Sequence, residues 1–417
     1  MRLLVLSVTS PVPANNGVKM RTWSILRGLA EEGHQLVLVA FADPDDSNGL
    51  SAELSKICQR VITIPHQFKS VSSSKDYVGR AVHLFAQTPY GVAATRSPQM
   101  ASQLAVLLNE KTVDAVLCEQ TDLLTNLPGQ LTVPLLVDFH NVDYLIMERY
   151  IRFESNPAKR LYARLESRKL RAWERRACQK ASSAWACSEY DCVLLQRLGP
   201  ALPMFVVPNV VDVDEYKTDS AEDPLKVLFQ GGMDWYPNRD AVEFFVTQIF
   251  FRIRSQFPNV RFVVAGRNPP EEFRQRLSLV PGVEFTGTVP DMRSEIASAA
   301  VCVVPLRMGS GTRLKILESA AMAKPIVSTR LGAEGLEFRD GQEIVLADEP
   351  EAFANAVVKL LSAAPDRLRL GKAARKRAEQ TYSLPALRAS LRQALNAFIK
   401  DASLPKPAKV RETVVGS

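Results

Sequence analysis

The sequence of 417 residues lacks the features that mark membrane-spanning, disulfide-rich or zinc-binding proteins. No apolar run approaches the roughly 18 residues that a membrane-spanning helix requires, and segments such as Leu36–Ala42 have the length of strands. The six cysteines form no Cys-x-x-Cys pair, and the four histidines do not cluster with them. These absences predict a reduced, cytoplasmic protein with neither a membrane span nor a bound metal.

The first glycine-containing loop also lacks the Gly-x-Gly-x-x-Gly pattern of nicotinamide and flavin sites. The segment PVPANNGVKMR follows an apolar run and contains one glycine, Gly17. That glycine would let the backbone approach a ligand, and the helix predicted after it would offer unpaired amides to an anion. The pattern disfavours a dehydrogenase and leaves two readings open, an anion-binding loop or an ordinary turn.

What the sequence does contain is the composition and periodicity of an α/β protein. Hydrophobic residues make up 46% and charged residues 23%, which are ordinary globular values. Strand-length apolar runs alternate with segments of helical periodicity, as in stacked β-α units with parallel sheets. One series begins at the amino terminus with RLLVLSV, and a second begins at Lys226 with VLFQ.

This repeated order predicts two α/β domains, at residues 1–207 and 208–384. A helix at 385–400 is predicted to close the fold by packing back on the first domain, and a tail at 401–417 is predicted to be disordered. Ligands of open parallel sheets lie at the carboxyl ends of the strands. We therefore expect two facing sheets with an interdomain cleft between them.

The densest chemical signal is the segment PLRMGSGTRLKILESAAMAKPIV, which begins at the end of a predicted strand. Gly309 and Gly311 allow close backbone approach, and the amino terminus of the following helix attracts negative charge. Arg313 and Lys315 add two cations that would neutralise a diphosphate, and Glu318 would accept hydrogen bonds from two ribose hydroxyls. The alternative is that the two cations only decorate an exposed helix face.

This segment resembles the retaining nucleotide-sugar glycosyltransferases of family 4, which have the GT-B fold. Their carboxy-terminal domain has a Glu, seven residues, Glu motif, followed by small residues and Pro-(Ile/Val)-Val. The second Glu falls on Glu318, whereas the first falls on Ser310, a departure that we interpret as a subfamily feature. PVPANNG, GLAEEGHQLVLV and VVPNVVD extend the resemblance over nearly the whole chain.

The resemblance implies a GT-B fold of two Rossmann-like domains, the first binding the acceptor and the second binding the nucleotide-sugar donor. It also implies functional residues. The predicted catalytic residues are His140, Arg313 and Lys315. The predicted donor-binding residues are Gly17, Gly232, Arg239, Ser310, Gly311, Thr312 and Glu318.

The assignment of His140 rests on its position in the chain. The assignment of Arg313 and Lys315 rests on a departure from the family's pattern. His140 follows the predicted strand in LLVDFHNVDYL, where the family has a histidine that contacts the transferred sugar. In FQGGMDWYPNRD the family often has a Gly-Arg pair and a downstream lysine that bind the diphosphate; here Gly232 precedes Met233, and Arg239 is the nearby cation. We therefore expect Arg313 and Lys315 to take over that role.

The implied reaction moves a sugar from a UDP- or GDP-linked donor to a hydroxyl acceptor with retention, without a cofactor or a metal ion. No paired carboxylates present themselves as nucleophile and acid, so a front-face transfer is expected, in which the donor phosphate takes the acceptor proton. The alternatives are a nucleotide-sugar epimerase and a non-catalytic nucleotide-sugar-binding protein.

The net charge of +7 is concentrated in one segment. Residues 149–180 contain eleven lysines and arginines against three glutamates. Such a segment either meets an anionic membrane surface or forms a solvated helix face. In the first case the protein is peripheral on the inner face of the cell membrane and its acceptor is lipid-linked or a glycan precursor. Nucleic-acid binding would leave the donor-like loop unexplained.

Overall fold

The computed structural model describes residues 1–42, 52–66, 83–84, 86–217 and 221–402. Two compact units emerge from it. Unit 1 comprises Met1–Pro208 together with the chain from Leu387 onward, and unit 2 comprises Asn209–Ala386. Of the tail predicted to be disordered, residues 401 and 402 end the last helix, and the remainder lies outside the described residues.

Unit 1 contains a seven-stranded sheet whose neighbouring strands all run parallel, in the order β3-β2-β1-β4-β5-β6-β7. Its strands are β1 (Arg2–Ser7), β2 (Gln35–Ala42), β3 (Arg60–Pro65), β4 (Ala115–Glu119), β5 (Leu135–Phe139), β6 (Ser183–Ala186) and β7 (Met204–Val206). The residues of β4 and β5 are all buried, as in sheets that helices cover on both faces.

The connections between these strands are mostly helical. They are α1 (Gly17–Glu31), α2 (Ala52–Ile57), α3 (Tyr90–Ala94), α4 (Pro98–Asn109), a 3₁₀ helix (Thr121–Asn126), α5 (Asp143–Phe153), α6 (Pro157–Lys180) and α7 (Glu189–Gln196). Asn16 caps α1 by accepting a hydrogen bond from the Lys19 amide, and Asn156 caps the 24-residue helix α6. The charge pattern of the sequence predicts a long helix over roughly 157–181, and α6 confirms it.

Unit 2 contains a six-stranded parallel sheet in the order β10-β9-β8-β11-β12-β13. Its strands are β8 (Asp223–Gln230), β9 (Arg261–Ala265), β10 (Val283–Gly287), β11 (Ala299–Val304), β12 (Ile326–Ser328) and β13 (Val345–Leu346). Its helices are α8 (Tyr236–Phe244), a π-helical stretch (Phe245–Phe250), α9 (Phe251–Gln256), α10 (Glu271–Ser278), α11 (Met292–Ala297), α12 (Leu314–Ala321), α13 (Pro350–Ser362) and α14 (Ala364–Thr381).

Each unit buries its own apolar core. In unit 2 the rings of Phe245 and Phe262 lie 4.3 Å apart between centroids, and Phe250 and Phe353 pack around Phe245. The predicted fold class, two Rossmann-like domains built on parallel sheets, is thereby confirmed.

The last helix, α15 (Leu384–Ala402), begins in unit 2 and continues in unit 1. Within unit 1 it packs on α1 so tightly that a Cβ atom on Gly28 would come within 2.7 Å of Leu391. Arg388 and Arg392 of α15 form ion pairs with glutamates at the end of α1, at 3.1 and 2.8 Å. No helix of the described residues combines the length and apolar character needed to cross a membrane.

Candidate active site

The carboxyl ends of β4 and β5 in unit 1 bring three titratable side chains together. Glu119 is the last residue of β4 and is paired in register with Asp138 of β5, while His140 follows β5 directly. All three side chains are buried. His140 Nε2 lies 3.0 Å from Glu119 Oε2 and 3.1 Å from Asp138 Oδ2. His140 thus lies at the predicted strand end, where it belongs to a network of titratable side chains.

Helix α1 contributes two further members of this network. The Arg21 guanidinium donates through Nε and Nη2 to the two carboxylate oxygens of Asp138, at 2.8 and 2.5 Å, and its Nη1 donates to the Val207 carbonyl at 2.9 Å. Thr22 donates its hydroxyl to Glu119 Oε2 at 2.9 Å. Gly17 is the exposed first residue of the same helix, one turn before Arg21. Helix α1 therefore connects the predicted anion-binding loop to the two carboxylates that contact His140.

The charges of this network shift one another's ionisation. Burial disfavours the Asp138 carboxylate, but the neighbouring Arg21 and His140 outweigh that effect and lower the pKa of Asp138 to about 2. Burial also opposes protonation of His140, yet its hydrogen bonds to Asp138 and Glu119 raise its pKa above the ordinary value. The network therefore favours a charged carboxylate beside a charged imidazole ring.

The side-chain atoms of Glu119, Asp138 and His140 also lie within 4.8 Å of one another, a spacing that a metal ion can use. Both oxygens of Asp138, however, already accept hydrogen bonds from the Arg21 guanidinium. A guanidinium is permanently charged and would repel a second cation. We therefore assign no metal to this cluster.

The predicted donor-binding loop of unit 2 lies beside the amino terminus of α12. Lys315, in the first turn of that helix, donates to Asn238 Oδ1 at 2.8 Å, and its ammonium nitrogen lies 4.0 Å from the centroid of the Phe229 ring. Asn238 in turn donates to the carbonyl of Gly232 at 2.8 Å. Asn238 thus connects the glycine loop after β8 to Lys315.

A glycine is required where this loop leaves β8. Gly231 has φ of +151°, and a Cβ there would meet Asn238 Nδ2 at 2.8 Å and Lys315 Nζ at 2.9 Å. Burial and then the charge of Arg313 lower the pKa of Lys315 to about 7. An anion beside this ammonium would reverse that shift, because it would stabilise the protonated form.

Glu318 lies one turn after Lys315 on α12 and is held by two side chains. The Tyr216 hydroxyl donates to Oε1 at 2.9 Å, and Gln230 Nε2 donates to Oε2 at 3.0 Å. Burial raises the pKa of Glu318, although Tyr216, Lys315 and Gln230 oppose the increase. Glu318, the residue predicted to bind the ribose, is therefore held in place by Tyr216 and Gln230, neither of which was predicted from the sequence.

The remaining predicted residues brace the two loops. Arg313 donates to the carbonyls of Ser310, at 2.5 Å, and Gly311, so its guanidinium is turned back onto its own loop. Thr312 accepts a hydrogen bond from Asn209 Nδ2 at 2.8 Å. Gly311 has φ of +71°, which favours glycine.

Arg239, on α8, braces the loop after β8 in a similar way. It donates to the carbonyls of Met233, at 2.6 Å, and Asp234, at 3.2 Å, and lies over the Tyr236 ring. Gly232 lies in the same loop, and its carbonyl is the acceptor of Asn238. The structure thus brings Gly232, Lys315 and Glu318 together around Asn238 and Gln230, while Arg239 and Arg313 each donate to carbonyls of an adjacent loop.

The basic segment also has a defined face. Nine of its eleven lysines and arginines are exposed, whereas Arg149 is buried and Lys169 half-buried beside Glu166. Its glutamates are buried or half-buried. Leu161, in the same helix α6, exposes 56% of its surface. The surface that this helix presents is therefore cationic, with an apolar side chain among the charges.

Comparison with known families covers both units. Residues 15–215 match the model described as Glycosyltransferase Family 4, and residues 224–363 match the model described as Glycosyl transferases group 1. The two matches follow one another along the chain and divide close to the boundary between the units.

Two curated proteins illustrate the sequence similarity. A phosphatidylinositol N-acetylglucosaminyltransferase subunit from Arabidopsis thaliana is 29% identical over 185 residues, 43% of this chain and 40% of that protein. An uncharacterized 44.6 kDa protein in the cps region of Klebsiella pneumoniae is 20% identical over 367 residues, 86% of this chain and 90% of that protein. The chain thus matches less than half of the Arabidopsis protein.

Solved structures show the same fold. Sucrose-phosphate synthase from Thermosynechococcus elongatus matches with a TM-score of 0.68 at 18% identity, over 96% of this chain and 100% of that one. HepE of Anabaena in complex with UDP-glucose matches with a TM-score of 0.63 at 14% identity, over 95% and 99%. With both units matched to the family and the fold shared, the chain belongs to the group 1, family 4 glycosyltransferases, retaining enzymes of the GT-B fold that use nucleotide sugars.

Proposed function

We propose that this glycosyltransferase moves a hexosyl group from a UDP- or GDP-linked sugar to a hydroxyl of a glycan or lipid-linked acceptor, in cell-surface polysaccharide or glycolipid synthesis. The observation that carries the proposal is the arrangement on α12, where Lys315 and Glu318 are held by neighbouring side chains beside the loop after β8. The UDP-glucose bound by HepE supports a UDP-linked donor.

In unit 2 the donor diphosphate lies against Lys315 and the amides of the glycine loops, and Glu318 accepts hydrogen bonds from the ribose hydroxyls. Ser310, Gly311 and Thr312 shape the loop, which Arg313 braces, and Gly232 lies in a second loop, which Arg239 braces from α8. As the nucleoside diphosphate leaves, negative charge grows on its phosphate oxygens. The ammonium and the helix terminus stabilise that charge more than they stabilise the ground state.

In unit 1 we assign His140 to the transferred sugar and Gly17, with the first turn of α1, to a contact with the donor phosphate. The acceptor hydroxyl attacks on the face from which the diphosphate leaves, so configuration is retained, and the departing phosphate oxygen takes the hydroxyl proton. In this scheme Lys315, the helix terminus and the loop amides together stabilise the negative charge of the leaving group, so that no divalent metal is needed.

The acceptor is proposed from the basic face of α6. Its exposed cations and Leu161 suit an anionic membrane surface, where each lysine or arginine contributes about 1 kcal/mol. On this proposal the protein is cytoplasmic and peripheral on the inner face of the cell membrane, where a lipid-linked glycan is within reach. The position of the Klebsiella relative in a cps region is in keeping with polysaccharide synthesis.

The test measures binding of UDP, GDP, ADP and their sugars by calorimetry without added metal and again with Mg²⁺. We expect one nucleotide to bind selectively, and Lys315→Ala and Glu318→Ala each to weaken it roughly 10- to 100-fold, because each removes a charge-assisted hydrogen bond. Lys359→Ala and Glu351→Ala, at exposed positions of α13, serve as matched controls.

Product analysis then separates the candidate activities. A product in which the sugar keeps the anomeric configuration that it had in the donor supports the proposal. Conversion of one nucleotide sugar into another identifies an epimerase. If no nucleoside diphosphate binds, or if both variants bind as the native protein does, the donor site proposed here is wrong. Strict dependence on Mg²⁺ would contradict the metal-free scheme.

A further inference from the structure

The proposed reaction uses His140 but leaves unexplained the four side chains that surround it. Glu119, Asp138, Arg21 and Thr22 are each buried, and buried charged groups are costly unless they are paired. Arg21 is 117 residues from Asp138 in sequence, and Thr22 is 97 residues from Glu119. A network assembled from such distant segments fixes the positions of its side chains. His140 is the member that directly follows the carboxyl end of β5.

We propose that Glu119 is a positioning residue that, together with Asp138, clamps the Nε2–H group of His140 and holds the ring as a positively charged imidazolium. The contact of that cation with the transferred sugar rests on the proposed function. The protonation and orientation of the ring do not.

Hydrogen-bond chemistry settles which ring nitrogen carries a proton in this arrangement. An ionised carboxylate accepts hydrogen bonds and cannot donate one. Since Nε2 lies 3.0 and 3.1 Å from oxygens of two different carboxylates, it carries the proton and shares it between them. The tautomer is therefore fixed, and a further proton on Nδ1 makes the ring a cation.

Charge balance favours that second proton. Arg21 neutralises one of the two carboxylates, so a neutral His140 would leave one net negative charge inside the unit, whereas the imidazolium brings the sum to zero. Burial of an unbalanced charge costs several kcal/mol. The raised pKa of His140 agrees with this balance.

Two further groups, Asp143 and Cys187, lie near the His140 ring and affect its charge less than Glu119 and Asp138 do. Asp143, at the start of α5, is a further acid whose charge interacts with His140, but burial and the neighbouring Asp122 raise the pKa of Asp143 to about 7. Cys187, after β6, donates its thiol to the carbonyl of His140 at 3.3 Å and carries no charge in doing so. Asp143, when ionised, adds to the stabilisation of the imidazolium.

Glu119 is the member whose charge can be removed with the least change in packing. Its Oε2 accepts from both Thr22 and His140, while its buried Oε1 has no hydrogen-bond partner among the described residues. A glutamine at this position keeps one acceptor oxygen for both donors and removes the charge at nearly the same side-chain volume, with its amide nitrogen in the place of Oε1. Glu119→Gln therefore separates the electrostatic role of this residue from its role in packing.

The test is an NMR titration of the full-length protein with isotope-labelled histidine, which reports the ionisation of each imidazole directly. The chain has four histidines, and His140→Gln assigns the signal of interest. We expect His140 to remain protonated at pH 7 in the native protein. In Glu119→Gln its pKa falls by about one unit, a tenfold change in the protonation equilibrium. Glu110→Gln, at an exposed carboxylate, is the matched control and leaves the signal unchanged.

Activity supplies the second readout. If the imidazolium contacts the transferred sugar, Glu119→Gln lowers kcat with little change in the KM of the donor and moves the alkaline limb of the pH–kcat profile to lower pH. A purely structural role of Glu119 would move neither the limb nor the titration. The NMR result stands even if no glycosyl transfer is found, so failure of the proposed function and failure of this inference are distinguishable.

Two outcomes overturn the inference. One is a native His140 that is neutral at pH 7, and the other is a titration unchanged in Glu119→Gln. If that variant does not fold, Glu119→Asp replaces it, since the shorter side chain withdraws the charge from Nε2. An unchanged titration in Glu119→Asp would then have the same meaning.

Discussion

The two units use buried charge in opposite ways. In unit 1, Arg21, Asp138, Glu119 and His140 pair with one another, so that the charges balance inside the protein. In unit 2, the ammonium of Lys315 has a neutral amide, Asn238, as its hydrogen-bond partner, and its pKa is lowered to about 7. A balanced network holds one side chain in place, whereas a cation with a lowered pKa gains free energy when an anion arrives.

The largest expected effect follows from breaking the balanced network. Arg21→Met leaves the buried Asp138 carboxylate without its cation, so we expect the free energy of unfolding of unit 1 to fall by about 3–5 kcal/mol. Urea unfolding monitored by tryptophan fluorescence measures the loss. Arg60→Met breaks an exposed ion pair instead and should cost less than about 1 kcal/mol. Equal losses in the two variants would show that the buried network is not specially stabilising.

The next effect concerns Lys315 and the pH dependence of donor binding. With a pKa of about 7 in the free protein, Lys315 is mostly neutral above that pH, and a bound diphosphate raises the value. Binding of the donor above pH 7 therefore takes up a proton. As the pH rises, affinity for the donor falls by up to about tenfold per pH unit, until the pH reaches the pKa of Lys315 in the complex.

Calorimetry in two buffers of different ionisation enthalpy measures this proton uptake directly. Lys315→Ala should abolish it, while His140→Gln, which changes the balanced network of unit 1, should leave it in place. Proton uptake that persists in Lys315→Ala would assign the lowered pKa to another group.

The smallest expected effect per residue concerns the surfaces of the two units. Arg168→Glu with Arg175→Glu reverses two charges on the exposed face of α6, and binding to vesicles with anionic lipid should fall at least fivefold per residue, from about 1 kcal/mol each. Arg369→Glu with Lys372→Glu, on the exposed face of α14, is the matched control. Sedimentation at low and at high salt measures both. Equal losses would indicate attraction by net charge alone.

Some of the candidate site residues can be predicted from the local sequence, whereas others cannot. His140, Glu119 and Gln230 all follow the rule that polar residues at the carboxyl ends of buried strands meet a ligand edge, and sequence reasoning applied that rule to His140 alone. Applied consistently, it would also have identified Glu119 and Gln230.

Other members could not be found in this way. Tyr216 lies 102 residues before Glu318, and Asn238 lies 77 residues before Lys315. Nothing in their local sequence distinguishes them from ordinary surface or capping residues. The role expected of Arg313 rests on its charge and stays a prediction; in the structure its guanidinium donates to the carbonyls of Ser310 and Gly311.

The sequence by itself determined the alternation of strands and helices, the two parallel sheets and the placement of Lys315 and Glu318 on one helix, because periodicity and spacing along a helix are local properties of the chain. Tertiary structure alone decided that Arg21 reaches Asp138 and that Glu119 lies opposite it across β4 and β5. Those contacts depend on strand order and register, which are set by the packing of the whole sheet and not by any segment of it.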